Sequence, residues 1–275
     1  GYAHNGVAGF FGRINYSYKD RYMVEVNGRY DGSSRFIGDK RWGFFPSFSL
    51  GWNVVNEEFF AGIAEKANMN MLKVRGSWGQ LGNTNTNDAW YPSYQTMPQG
   101  SNYNWLVNGV RPNYASLPGI VSTLKTWETI ETWDIGLDWA FFNNRLTGSF
   151  DYFVRWTYDM IGPAPELPSI LGATPPKINN ADMKSYGFEF ELGWRDQIGD
   201  FSYGAKFTLA DDQQKITDYP NENLKLSEAY YPGKMLGEIW GYETVGIAQT
   251  QEEMDAHLAK VDQSSLGSKW GAGDI

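Results

Sequence analysis

Residues 21–54, RYMVEVNGRYDGSSRFIGDKRWGFFPSFSLGWNV, hold the pattern that most narrows what this chain can fold into. Tyr22, Val24, Val26, Gly28 and Tyr30 fall on one face of an extended strand, and Met23, Glu25, Asn27, Arg29 and Asp31 fall on the other. After the polar loop DGSSRFIGDKR the alternation resumes. Phe44, Pro46, Phe48, Leu50, Trp52 and Val54 share one face, and Phe45, Ser47, Ser49, Gly51 and Asn53 share the opposite one. A period of two marks a strand whose two sides have unlike surroundings. Here the polar side carries full charges, and the apolar side is aromatic and nearly continuous. One face needs water and the other needs something oily and extensive. A bilayer outside a barrel with a wet lumen supplies both.

The alternation recurs down the chain. Strands are predicted at residues 6–18, 21–31, 42–54, 71–81, 129–142 and 145–160. Two more follow, with Tyr186, Phe188, Phe190, Leu192 and Trp194 on the apolar face of one and Phe201, Tyr203, Ala205, Phe207 and Leu209 on that of the other. Lys19-Asp20 and Asn143-Asn144 read as tight turns, because Asn tolerates the positive φ that a two-residue hairpin demands. Residues 56–70 read as a short helical excursion with Asn56 as N-cap and Glu57 and Glu58 in the first turn. Thr250 and Glu253 read as a capping-box pair opening a helix over 251–260.

Connection lengths alternate as well. Those after the first, third, fifth and seventh strands are short or compact, whereas those at about 32–42, 82–127, 161–183 and 211–275 are longer. Outer-membrane barrels pair tight periplasmic turns with large extracellular loops, so the four long connections are expected to face outside. The predicted strands reach or exceed the ~9–11 residues that a tilted strand needs to cross a bilayer. The fold class is therefore all-β, an antiparallel transmembrane β-barrel.

Composition removes several functions. The net charge of −9 argues against nucleic acid, because phosphate binding needs clustered Lys and Arg. With no Cys there is neither a disulfide framework nor a thiolate zinc site. With His4 and His257 the only histidines, triad and metallohydrolase readings have little to work with, and no cofactor or metal is expected. Aromatics make up 16% of the chain, which suits interfacial girdles or stacking surfaces. The opening GYAHNGVAGF lacks the basic and apolar regions of a signal peptide, and SSLGSKWGAGDI stops in polar loop chemistry; the chain is expected to be an internal fragment of something longer.

Two sets of residues could carry chemistry. Asp134, Asp138, Asp151, Glu189 and Glu191 could be imagined as a glycosidase pair, which needs two carboxyls ~5–10 Å apart. The preferred reading places them on a wet lumenal wall, balanced by Arg13, Arg29, Arg75, Arg145 and Arg155. Trp90, Tyr91, Tyr94, Tyr103, Trp105 and Tyr114 share one external loop with Asn, Gln and Ser. They are the candidate ligand-binding residues, since flat rings stack on sugar faces while amides meet hydroxyls. Loop self-packing or contact with a partner protein is the plainer alternative. No catalytic residue is expected.

Several motifs resemble one family. Arg29-Tyr30-Asp31-Gly32-Ser33-Ser34-Arg35-Phe36, then Trp42-Gly43-Phe44-Phe45-Pro46-Ser47, is similar to the barrel of SusC/RagA-type TonB-dependent transporters. So are Leu72-Lys73-Val74-Arg75-Gly76-Ser77-Trp78-Gly79, Asn143-Asn144-Arg145 before Phe150-Asp151-Tyr152-Phe153, and Glu238-Ile239-Trp240-Gly241-Tyr242. The resemblance implies a 22-stranded outer-membrane barrel around an N-terminal plug, of which residues 1–275 would supply about eight strands and the plug none. It implies an importer of oligosaccharides or peptides, not an enzyme, energised through the TonB complex. It also implies a SusD-like lipoprotein lid and an outer-membrane location in a Gram-negative, Bacteroidetes-like cell. Two other classes stay open: a self-contained small outer-membrane barrel acting as adhesin or surface enzyme, and a soluble carbohydrate-binding β-sandwich.

Overall fold

A computed structural model describes residues 4–84, 92–101, 104–164, 168, 170, 172–173, 175–221, 230–241, 243–244, 246–267 and 269–274. Its strands are β1 (Val7–Tyr18), β2 (Tyr22–Ser33), β3 (Trp42–Asn53), β4 (Met69–Asn83), the two-residue β5 (Gln99–Gly100) and β6 (Tyr114–Ala115), β7 (Glu128–Phe141), β8 (Leu146–Ile161), β9 (Asn179–Ile198) and β10 (Phe201–Asp218). Helix α1 spans Ala61–Ala67 and α2 spans Gln251–Leu258. Eight strands form one sheet in the order β1-β2-β3-β4-β7-β8-β9-β10, antiparallel throughout, while β5 and β6 pair only with each other.

The register explains the alternation. Tyr16 stands opposite Val24, Val24 opposite Leu50, Leu50 opposite Gly76, Gly76 opposite Ile135, Ile135 opposite Tyr152 and Tyr152 opposite Phe188. Each apolar residue thus meets another across the ladder, and one oily face runs over neighbouring strands. The opposite face lines up Asn15, Glu25, Ser49, Ser77 and Asp134. On the oily side Ile14 is 71% exposed and Ile135 65%, so no second layer covers these residues. A β-sandwich buries that face against a partner sheet, and among the described residues there is none. The sheet also does not close on itself: β1 and β10 are its two ends. Both alternatives, sandwich and self-contained small barrel, lose their support.

Several local expectations need correction. Strand β9 begins at Asn179 and β10 continues to Asp218, both inside stretches read from sequence as loop. Their outer parts carry polar residues on both sides, so hydrophobic period gives no signal there. Backbone pairing does the work instead, from Ile161↔Asn179 on one side and Lys215↔Lys184 on the other. The far end of β10 also receives a returning segment, with Ile216 N–H donating to the Lys234 carbonyl at 2.9 Å and Leu236 N–H to Gln214 at 2.8 Å.

The Asn143-Asn144 turn is longer than two residues. Phe142, Asn143 and Asn144 all have left-handed φ, of 55°, 57° and 64°, and the Arg145 N–H donates to the Phe142 carbonyl at 3.3 Å. The Asn70 side-chain oxygen accepts from the Asn143 N–H at 2.7 Å and pays the cost of holding the backbone there.

Asn56 does not cap a helix. Helix α1 starts after Phe60 without a side-chain cap, and the Asn56 amide donates to the Asp20 carbonyl at 2.9 Å. Glu57, buried, is the anchor of this end of the sheet. It accepts from the Tyr22 hydroxyl at 2.6 Å, the Trp52 indole at 3.1 Å and the Arg21 guanidinium at 3.3 Å. The Tyr22 hydrogen bond first, the Trp52 bond second and the Arg21 charge further down hold its carboxyl below the ordinary glutamate range. A lowered folded value stabilises the fold above the unfolded value of about 4.3, and that contribution drains away as pH falls through the lower one. The stability difference between wild type and Glu57→Gln should therefore be largest at neutral pH and shrink below about pH 4. Thermal midpoints at several pH values check this; a difference that grows on acidification contradicts it.

Residues Gly237–Ile275 form a separate compact unit. Thr250 caps α2, accepting from the Glu253 N–H at 3.3 Å, while the Glu253 carboxylate reaches back to the Gln249 N–H at 2.8 Å. Met254, fully buried, anchors the helix within this unit.

Candidate functional site

The charged face of the wall is organised by Arg75 on β4. Its Nε donates to Asp138 at 3.1 Å, its Nη2 to Asp151 at 2.7 Å, and its Nη1 lies 3.6 Å from Asp134. Strands β7 and β8 supply these carboxylates from positions two pairs apart, so a single guanidinium fork reaches all three. The register requires a bare backbone in between. A Cβ on Gly136 would sit 2.5 Å from the Asp151 carboxylate and 2.6 Å from the Arg75 guanidinium carbon. Of the five arginines expected to share the carboxylates, Arg75 holds three of them, Asp134, Asp138 and Asp151. Arg13 pairs with Glu25 at 3.2 Å, Arg29 with Asp31 at 3.1 Å and Arg145 with Asp196 at 3.2 Å, and Lys206 reaches Glu191 at 2.7 Å. Three acids tied to one cation form an ion cluster across three adjacent strands.

A second construction stands at the outer end. The β3–β4 ladder runs from Asn53↔Lys73 to Ser47↔Gly79 and stops there, short of the strand ends. In the opening sits Phe45, an aromatic on the otherwise polar side and buried. Phe36 and Trp127 cover it, with ring centroids 5.4 Å apart between Phe36 and Trp127 and 5.3 Å between Phe45 and Trp127. A Cβ on Gly82 would lie 2.0 Å from the Phe45 ring, so only glycine lets the ring through.

Hydrogen bonds tie the loops around this cluster. Trp127 Nε1 donates to the Lys40 carbonyl at 3.1 Å, Lys40 Nζ to the Leu124 carbonyl at 2.7 Å, and Arg35 to the Thr84 carbonyl at 2.7 Å. Asn179 on β9 accepts from the Thr126 N–H at 3.1 Å and donates to the Thr126 carbonyl at 3.2 Å. Lys125, buried in this collar, is held below the ordinary lysine value by burial first and by the Lys177 charge second. The collar connects the loops following β2 and β4 and the start of β9, and nothing in the local sequence announces it apart from an out-of-place Phe45.

The aromatic candidates divide. Trp90, Tyr91 and Tyr103 lie outside the described residues. Trp105 is 65% exposed, and Tyr114, on β6, lays its ring over Gly100, where a Cβ would meet it at 2.5 Å. Tyr94 lines a cleft with Trp42, Arg41 and the outer ends of β1 and β2. Neither Trp105 nor Tyr114 lines that cleft.

Comparison with known proteins follows the same lines. A family model described as "TonB dependent receptor-like, beta-barrel" matches residues 2–253. The chain is 32% identical over 217 residues to the TonB-dependent receptor SusC of Bacteroides thetaiotaomicron, covering 78% of this chain and 21% of the relative. It is 30% identical over 252 residues to TonB-dependent receptor P3 of Formosa agariphila, covering 87% of this chain and 24% of the relative. Among solved structures, the RagAB peptide importer in its "open-open" state superposes with a TM-score of 0.67 at 25% identity, over 79% of this chain and 23% of that one. The chain thus spans about a quarter of the length of the curated relatives it matches.

Proposed function

Because the chain belongs to the TonB-dependent receptor β-barrel family, we propose that it is part of the wall of an outer-membrane importer of oligosaccharides or peptides. The observation that carries this reading is the two-faced sheet. Exposed Ile14, Leu50, Ile135 and Tyr152 present an unbroken oily surface to lipid, and the Arg75 cluster with its serine and glycine neighbours faces a wet lumen. Further strands extend the sheet from β1 and β10 into a larger, 22-stranded barrel. A plug elsewhere in the longer protein, pulled through the TonB complex, opens the lumen, and a SusD-like lipoprotein closes the outer side over the loop collar. No bond is made or broken; the work is capture and passage.

Within that scheme the ring faces of the loop following β4 contact cargo. Trp105→Ala should raise the half-saturating cargo concentration about 2- to 10-fold, the equivalent of about 0.5–1.5 kcal/mol for one lost stacking contact. Uptake by cells carrying the full-length protein measures this, and unchanged half-saturation at equal surface abundance removes Trp105 from the site. The scheme as a whole is tested by extracting the native protein from outer membrane in mild detergent. The expected result is a much longer chain holding a lipoprotein subunit and losing uptake when TonB is deleted. A 275-residue chain, folded and alone, would overturn it.

A further inference from the structure

At the outer end of β1–β3 the oily face ends in a built feature. Trp42 lies flat over Gly32, where a Cβ would meet the indole at 2.7 Å, and stacks on Tyr30 at 5.0 Å between centroids and 13° between planes. Phe10 joins the stack at 6.3 Å. Register places Phe10 opposite Tyr30 and Ala8 opposite Gly32, so all of these side chains stand on the lipid side. Such aromatic groups mark the level where hydrocarbon meets headgroups.

Immediately beyond the Trp42 ring a cleft opens. Ala8 and Trp42 form its apolar part on the lipid side, with Val7 at its edge, and His4, Arg41 and Tyr94 stand along it, with Thr96 nearby. No Asp or Glu is among the described residues that line it. Arg41 is exposed and uses one donor, Nε, on the Phe36 carbonyl at 3.3 Å. Its two terminal nitrogens make no hydrogen bond or ion pair among the described residues. A cation therefore stands beside an apolar trough that adjoins the lipid-facing wall.

We propose that this cleft is a binding site for a phosphate-bearing glycolipid of the outer leaflet. The root of an acyl chain lies against Ala8 and the Trp42 ring, the phosphate meets the Arg41 guanidinium as a charge-assisted pair, and Tyr94 and Thr96 face the sugar. The cleft is an extension of the oily face with charge of the complementary sign at headgroup depth. The inference rests on the outer-membrane reading with these loops outward. It assigns Tyr94 to lipid, apart from Trp105 and Tyr114.

The test uses the full-length protein in mild detergent, titrated with bisphosphorylated lipid A and followed by native mass spectrometry. One lipid A is expected to be retained beyond the detergent background. Arg41→Gln should weaken it about tenfold and Arg41→Lys only about twofold, and dephosphorylated lipid should bind wild type as weakly as lipid A binds Arg41→Gln. Millimolar inorganic phosphate should leave the lipid in place. Equal binding of the two lipids, no change in Arg41→Gln, or displacement by inorganic phosphate would each overturn the proposal. Unheated gel mobility reports that each variant is folded. Protein missing from the outer-membrane fraction would sink the importer reading itself, whereas protein present there without this preference would sink the lipid site alone.

Discussion

Arg75→Leu is expected to destabilise the folded wall by about 2–4 kcal/mol. The reason is asymmetry. Removing the guanidinium leaves Asp134, Asp138 and Asp151 crowded on adjacent strands with no cation between them, and each is only 18–25% exposed. Arg75 itself is 32% exposed, so water screens part of the loss and the figure stays below that of a sealed ion pair. Arg75→Lys should recover less than half of the loss, since an ammonium cannot fork between Asp138 and Asp151. Adding Asp138→Asn to Arg75→Leu should recover part of it by removing one stranded charge. Urea unfolding of the full-length barrel in detergent measures all of these. A midpoint unmoved by Arg75→Leu would mean that the cluster is fully hydrated and holds nothing.

Trp127→Ala should cost about 3–5 kcal/mol locally, as removal of a buried indole from a packed cluster does. Trp127 is 7% exposed between Phe36 and Phe45, and its indole N–H also holds the Lys40 carbonyl. Both the packing and the strap are lost together. The loop following β2 should come away from residues 122–127, because those contacts and Lys40–Leu124 are what join them. Hydrogen exchange at residues 34–41 should accelerate by about 100-fold or more, while β1 and β2 amides near the Lys19-Asp20 turn keep their protection. Trp127→Phe should give a smaller effect, since a ring remains without its donor. Exchange at 34–41 that does not change would show the collar to be held by something other than this cluster.

How much of this was legible beforehand follows from which forces leave a trace in local sequence. Strands with one face in lipid and one in water must alternate, so β1 to β4 and β7 to β8 could be read to within a few residues of their ends. The outer parts of β9 and β10 could not. Around Asp211, Asp212 and Gln213 both faces are wet, and only pairing with Phe188, Gly187 and Tyr186 keeps the chain extended. Glu57 looked like a first-turn helix residue because the sequence shows neither the Tyr22 hydroxyl nor the Trp52 indole that it binds. Arg75 was one of five lumenal arginines by spacing alone; register decided that it would hold three acids while Arg13, Arg29 and Arg145 paired elsewhere. Phe45 was visible as an aromatic on the wrong face, the one local sign of the collar. Of the ring candidates, the sequence could group Tyr94 with Trp105 and Tyr114 in one loop, but not foresee that Tyr94 turns to the rim cleft.

A wall with lipid on one face and water on the other can be measured directly, because residues 1–275 contain no Cys and any cysteine elsewhere in the longer protein can be replaced by serine. Single cysteines placed in turn at Asp134, Ile135, Leu137, Asp138 and Trp139 of β7, in the full-length protein in liposomes, would be challenged with a membrane-impermeant maleimide and with a lipid-confined quencher of a cysteine-bound fluorophore. Strict alternation is expected, with positions 134 and 138 labelled from water and 135, 137 and 139 reached through lipid. Equal aqueous labelling along the strand would contradict it and return the sheet to a water-soluble setting.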